Sequence, residues 1–109
     1  MAEVLGTFEQ AVLLAVLRLR SGAYGRAILN DVSARLDRDV AAGAVHATLV
    51  RIEEKGLLSS EIGPGTEVRA GRPRRYYRLD SAGVRALNDA PVAVNTLWRC
   101  FKWPLKGHA

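Results

Sequence analysis

The residues most suited to chemistry are concentrated in one basic stretch, residues 69–78. Within ten positions it contains two tyrosines, no acidic residue and five arginines, namely Arg69, Arg72, Arg74, Arg75 and Arg78. Guanidinium groups make forked contacts to phosphate, and a narrow DNA minor groove attracts inserted arginine. Because cations packed this densely repel one another, an anionic partner explains the stretch better than a merely solvated hairpin does.

The second half of this stretch has the composition of a β-strand, and its alternation predicts two faces. Arg74, Tyr76 and Arg78 would share the outer face. Tyr77 and Leu79 would pack inward. We therefore expect Tyr76 to lie on the outer side together with arginines.

A second candidate surface lies on a helix predicted for residues 42–55, whose inner face carries Val45, Leu49 and Ile52 at i, i+4 and i+7. Small residues opposite that face would let the helix backbone approach base edges, and Arg51 could reach phosphate or guanine. Without a basic hairpin beside it, an ordinary amphipathic helix would explain this pattern. The predicted DNA contacts on helix and hairpin are Ala44, His46, Ala47, Thr48, Arg51, Arg69, Arg72, Arg74, Arg75 and Tyr76.

Catalytic and metal chemistry find no support in the sequence. His46 and His108 are the only histidines, and neither has a nearby cysteine or a suitably spaced carboxylate pair. The glycines at 63 and 65 are not followed by the Lys-Ser/Thr end of a phosphate loop, and no nucleophile motif occurs. We expect no metal, no cofactor and no enzymatic activity.

The elements that must position these residues follow a recognisable order. Three helices are predicted near residues 7–20, 23–36 and 42–55, with Thr7 and Gln10 as a capping box and Gly56 closing the third. Two strands around a long Gly/Pro loop follow, and then a helical region from residue 81 to about 103 that Pro91 must kink or split. This is a mainly α (α+β) winged helix-turn-helix, with the hairpin as its wing.

Apolar surface on the first and last helices predicts a dimer. The first helix is apolar around most of its circumference, and a stripe near the C-terminus is too large for so small a chain to cover. The predicted interface comprises Val12, Val16, Val94, Leu97, Trp98, Phe101 and Leu105. Residues 1–80 would form the DNA-binding domain and residues 81–109 the dimerisation helix. Trp98 is also the candidate wall of a ligand pocket between subunits.

The bulk properties agree with an intracellular nucleic-acid-binding domain. The chain has 109 residues, suited to one core, and a formal net charge of +5. Its single cysteine, Cys100, fits a reducing compartment. The longest apolar run, residues 11–17, is far shorter than a membrane span and has no basic region before it. We expect a cytoplasmic protein with neither membrane segment nor signal peptide.

Several segments resemble the PadR family of transcription regulators. They include Ala-Tyr-Gly at 23–25, Arg-Ile-Glu-Glu-Lys-Gly-Leu at 51–57 and Gly-Arg-Pro-Arg-Arg-Tyr-Tyr at 71–77, and the match covers residues 5–87. The resemblance implies a winged-helix homodimer, usually a repressor, often released from its operator by phenolic or drug-like molecules. It also implies that the last helix dimerises with the first, and some members of the single-C-terminal-helix subfamily bind flat aromatic ligands between subunits. His46, Asp80 and Pro91 depart from the family pattern.

Two interpretations of function stay open at this point. The first is a dimeric regulator that recognises a double-stranded DNA operator and responds to a small aromatic effector. The alternative is a basic winged-helix module that binds protein, or nucleic acid without sequence preference. A preferred sequence at moderate salt would distinguish them, because salt suppresses non-specific binding.

Overall fold

The computed structural model describes residues 5–63 and 73–98, with the backbone alone for residues 91–98. Helices make up most of the described fold, in the order helix, helix, helix, strand, strand, helix. A 3-10 turn over Arg20–Gly22 follows the first helix. The elements are α1 (Thr7–Leu19), α2 (Gly25–Leu36), α3 (Ala42–Glu54), β1 (Leu58–Gly63), β2 (Arg74–Leu79) and α4 (Ser81–Trp98).

The start of α1 differs from the predicted cap. Gly6, not Thr7, is the N-cap, and its N–H donates to Glu9 Oε1 at 3.0 Å. Glu9 is therefore at the third helical position, where a carboxylate also interacts favourably with the helix dipole. The side chain of Gln10 donates instead to the Leu5 carbonyl at 3.1 Å.

The helix-turn-helix pair is α2 and α3, joined by residues 37–41. Asp37 adopts the left-handed conformation (φ 54°) at the C-cap of α2. The N–H of Val40 donates to Ser33 Oγ at 3.3 Å, which ties the connection back to α2. Gly56 closes α3 with φ 80°, as predicted from its position after Lys55.

The two strands form an antiparallel hairpin with register Leu58 to Leu79 at its base and Gly63 to Arg74 toward its tip. Tyr77 is buried and Leu79 packs against the core, which confirms the predicted inward face. The segment before α2 extends the sheet, since the N–H of Tyr77 donates to the Ala23 carbonyl at 2.8 Å.

The core lies between α1, α2, α3 and the base of the hairpin, and its largest fully buried side chains include Leu13, Ile28, Leu49, Ile52 and Leu58. Val12 and Val16, predicted to contact a second subunit, are only 0% and 2% exposed within one chain. That prediction is wrong for these two residues because the chain's own core covers their side of α1. The apolar side chains that α1 leaves exposed are Leu14 and Leu17.

Helix α4 packs against α1 and the end of β2. Its backbone is helical from Ser81 through Pro91 to Trp98, so the proline does not split it. Gly83 lies so close to the hairpin base that a Cβ there would sit 2.2 Å from the Leu57 carbonyl oxygen. In the described part of the chain, no helix has the length and apolar content needed to cross a membrane.

The other five predicted interface residues all follow Pro91 in the chain. Val94, Leu97 and Trp98 lie on α4, where only the backbone is described. Phe101 and Leu105 lie outside the described residues.

Candidate nucleic-acid interface

The exposed face of α3 is built mainly from small side chains. Ala44, His46 and Ala47 are exposed, as predicted, because Val45, Leu49 and Ile52 turn into the core. Val50 is also exposed, by 42%, one turn beyond Ala47. Val50 is not among the contacts predicted from the sequence, although its spacing from Ala47 places it on the same face. An apolar side chain there is suited to contact with a thymine methyl group in the major groove.

Thr48 lies on a different side of α3 from the predicted one. Its side chain is buried, with 3% exposure, and its Oγ1 accepts a hydrogen bond from Arg51 Nη2 at 3.4 Å. The prediction that Thr48 points away from the core is therefore wrong. On this flank Arg51 and Lys55 pair with Glu9 of α1, a neighbour that the spacing within α3 could not reveal.

Arg51 is half-exposed and paired with a carboxylate from α1. Its Nε lies 3.3 Å from Glu9 Oε2, and Lys55 Nζ lies 3.2 Å from the same oxygen. Burial by itself would raise the pKa of Glu9, but hydrogen bonds from Gly6, Lys55 and Arg51 outweigh it and lower that pKa. Glu9 is therefore a charged anchor on which two cations of α3 converge.

In the wing, Arg74 and Tyr76 form a cluster with Tyr24. The Arg74 guanidinium lies over the Tyr24 ring, 3.9 Å from its centre, and the rings of Tyr24 and Tyr76 meet edge to face at 5.9 Å. Among the described residues, Arg74 Nε is buried without a hydrogen-bond partner. Arg74 thus packs the hairpin against the residue that precedes α2. The two residues are fifty positions apart in the chain, so no local sequence pattern could indicate this contact.

Arg75, by contrast, is exposed and connects the wing to α3. Its Nη1 donates to Ser60 Oγ at 2.9 Å, and the Ser60 hydroxyl donates to Glu53 Oε2 at 2.7 Å. Arg78 pairs with Glu61 at 3.4 Å, but both side chains are well exposed, and such pairs contribute little to stability. The hairpin and the exposed helix face are therefore held in a fixed relation through Glu53.

A further basic group stands at the start of α2. Arg26 is exposed and forms no ion pair within the described part of the chain. A groove of about 310 Å³ separates the two helices of the pair, and both Arg26 and His46 line it. Arg26 is not among the residues predicted from the sequence, because a single arginine at a helix start has no distinguishing pattern.

The remaining candidates do not change this arrangement. Arg69 and Arg72 lie outside the described residues. Within the ranges that the structure describes, no three His, Cys, Asp or Glu side chains gather in a way that could hold a metal ion. The other predicted contact residues lie on two elements: Ala44, His46 and Ala47 on α3, and Arg74, Arg75 and Tyr76 on β2.

Comparison with protein-family models identifies this arrangement. The model of the PadR-like transcriptional regulators matches residues 13–89, which run from within α1 into α4. The chain belongs to the PadR-like family of transcriptional regulators. It is accordingly a DNA-binding regulator and not an enzyme, as predicted.

Solved structures support the PadR-like assignment. A PadR-like transcription factor from Bacteroides fragilis is 26% identical with a TM-score of 0.67, over 87% of this chain and 86% of that one. A PadR family regulator from Eggerthella lenta is 30% identical with a TM-score of 0.63, over 82% and 75% of the two chains. A regulator from Clostridium thermocellum, 18% identical with a TM-score of 0.68 over 90% and 92%, shares the fold. Comparison with curated proteins gave no significant match.

Proposed function

We propose that this PadR-like protein is a sequence-specific repressor that binds an operator as a homodimer and responds to a small aromatic effector. The observation that carries DNA recognition is the exposed face of α3, where Ala44, Ala47 and Val50 leave the backbone accessible beside a basic hairpin. In this arrangement α3 enters the major groove and the wing follows phosphates or the minor groove.

The proposed base contacts come from α3, and the proposed phosphate contacts come mainly from the wing. His46 and Val50 have the exposure to reach base edges. Arg75 reaches outward from β2, and Arg69 and Arg72 belong to the same basic stretch of the sequence. Arg26 at the start of α2 supplies one more cation toward the backbone. Arg74 and Tyr76 act mainly by holding the wing in place.

Selection of bound fragments from a random pool of duplex DNA at about 150 mM salt tests sequence-specific recognition, because salt suppresses non-specific binding. We expect an inverted repeat, since a two-fold dimer places two α3 helices on one face of the duplex. Recovery of no preferred sequence would contradict the proposal and favour the alternative of a basic module without sequence preference. Transcription in vitro from a promoter carrying the selected site should fall when the protein is added. A rise would contradict the repressor role.

The dimer proposal rests on apolar surface that one chain leaves uncovered. Leu14 and Leu17 are 39% and 53% exposed on neighbouring turns of α1. Helix α4 packs against α1, and the apolar stripe predicted from the sequence comprises Val94, Leu97, Trp98, Phe101 and Leu105. Residues 1–80 would then carry DNA binding and residues 81–109 dimerisation. Sedimentation equilibrium is the direct test, and a monomer at micromolar concentration would remove the proposal.

The effector proposal rests on Trp98, a large flat side chain in the sequence stripe proposed to pair with its symmetry mate. Titration with planar aromatic and phenolic compounds should change tryptophan emission and lower affinity for the selected operator. Replacing Trp98 by leucine should abolish the DNA effect, while Trp103 still reports on folding. Unchanged emission and affinity across the panel would contradict effector binding and leave the dimer intact. We place the regulator in the cytoplasm, in line with its single cysteine.

A further inference from the structure

Glu9 of α1 pairs with two cations near the end of α3, Arg51 and Lys55. The Glu9 side chain is 11% exposed, whereas the Arg51 and Lys55 side chains that converge on it are 52% and 32% exposed. Glu9 is thus the least exposed of the three side chains. An approaching anion would meet the cations first and the carboxylate behind them.

Arg51 is also aligned with the surface proposed to enter DNA. It lies seven residues after Ala44 and four after Ala47, so the three share one side of α3. Between these small side chains and the end of the helix, Arg51 is the first long cation. Its guanidinium already has one anionic partner, because Glu9 Oε2 lies 3.3 Å away.

The same carboxylate is held in place from its other side. Glu9 Oε1 accepts the N–H of Gly6 at 3.0 Å, which fixes the side chain at the start of α1. Together with the two cations, this hydrogen bond lowers the pKa of Glu9 despite its burial, so the group stays negative at neutral pH. A fixed anion at this position competes directly with phosphate for the same two donors.

We propose that Glu9 competes with DNA phosphate for Arg51 and Lys55, and so restrains binding to DNA of arbitrary sequence. This inference rests on the proposed function, since it places α3 against DNA. When the protein binds DNA only loosely, both ion pairs with Glu9 stay intact, and Arg51 and Lys55 add nothing to the affinity. Only a closely seated complex brings phosphate near enough to exchange with the carboxylate.

Glu9→Gln tests the proposal, because glutamine can still accept the Gly6 N–H and keep the cap while the negative charge is lost. Binding to a 20-base-pair duplex of arbitrary sequence would be measured by fluorescence anisotropy from 50 to 300 mM KCl. Each cation released to phosphate adds about 0.9 to the slope of log K against log salt, which is about fivefold in affinity at 0.15 M. We expect the variant to bind at least about fivefold more tightly, with a slope steeper by about one to two per chain and by twice that amount in a dimer.

The matched control is Asp89→Asn, which changes the net charge equally on the exposed side of α4. It should leave the slope unchanged. In an Arg51→Ala, Lys55→Ala background, Glu9→Gln should no longer steepen it. Thermal melts show whether each variant folds. If Glu9→Gln does not fold, Glu9→Asp replaces it in the test, because its shorter side chain stretches both ion pairs.

The outcomes separate this proposal from the proposed function. If the wild-type protein shows no salt-dependent binding to any duplex, DNA binding itself fails. If the wild type binds but Glu9→Gln binds equally or more weakly with an unchanged slope, Glu9 has only a structural role and the inference is overturned. A steeper slope that persists without Arg51 and Lys55 would also overturn it.

Discussion

Mutation of the two adjacent arginines of the wing should change two different properties of the protein. Arg75 is exposed and held by one hydrogen bond to Ser60, so it can reach phosphate. Arg74 lies 3.9 Å over the ring of Tyr24, and its Nε is buried. Arg75→Ala should therefore affect DNA binding, whereas Arg74→Ala should affect stability first.

The magnitudes follow from these contacts. Loss of one phosphate contact lowers the slope of log K against log salt by about 0.9 per chain and the affinity about fivefold at 0.15 M salt, and a dimer doubles the change in slope. Loss of the stacked cation costs about 0.5–2 kcal/mol of folding free energy. For a domain of this size, each kcal/mol lowers the melting temperature by roughly 4–8 °C.

Both variants would be compared by salt-dependent fluorescence anisotropy and by thermal melts followed with circular dichroism. Arg75→Lys is the control, since it keeps the charge and should keep most of the slope. The reasoning is refuted if Arg74→Ala lowers the slope as much as Arg75→Ala does and leaves the melting temperature unchanged. That result would mean that Arg74 leaves Tyr24 to contact DNA.

Three further predictions concern packing, pH and assembly. Gly83→Ala places a Cβ 2.2 Å from the Leu57 carbonyl oxygen. Urea denaturation should show that the variant's free energy of unfolding is lower by at least about 1–3 kcal/mol. An equally stable variant would contradict the close packing of α4. Because folding lowers the pKa of Glu9 from 4.5, its stabilising contribution is present above that value and is lost as the pH falls below it. Wild-type melting temperature should consequently drop below about pH 4.5 more steeply than that of Glu9→Gln, and parallel curves would count against the ion pairs. Leu17→Glu changes a side chain that is 53% exposed, so it should keep the fold yet sediment as a monomer, and a persisting dimer would exclude α1 from the interface.

Much of the fold could be predicted because local patterns determine it. The alternation along the strand Arg74–Leu79 predicts that Tyr77 points inward, and Tyr77 is the buried residue of that strand. Gly56 stands where a helix must turn into the left-handed region. The apolar spacing of α3 identifies its inner face, and the helical period then identifies the opposite, exposed face. That face carries Ala44, His46 and Ala47.

The sequence by itself therefore determined the order of elements, the inner faces and the family. Tertiary structure alone decided which neighbour covers the flanks of each helix. Thr48 is buried on the flank of α3 whose Arg51 and Lys55 pair with Glu9 of α1, and Val12 is buried because the chain's own core covers its side of α1. Arg51 forms a hydrogen bond with Glu9, 42 positions earlier in the chain, and the Arg74 guanidinium lies over the ring of Tyr24, fifty positions earlier. Helical periodicity specifies which residues lie on the inner and outer faces of one helix. Whether a residue between those two faces is buried depends on where the other helices and the hairpin pack.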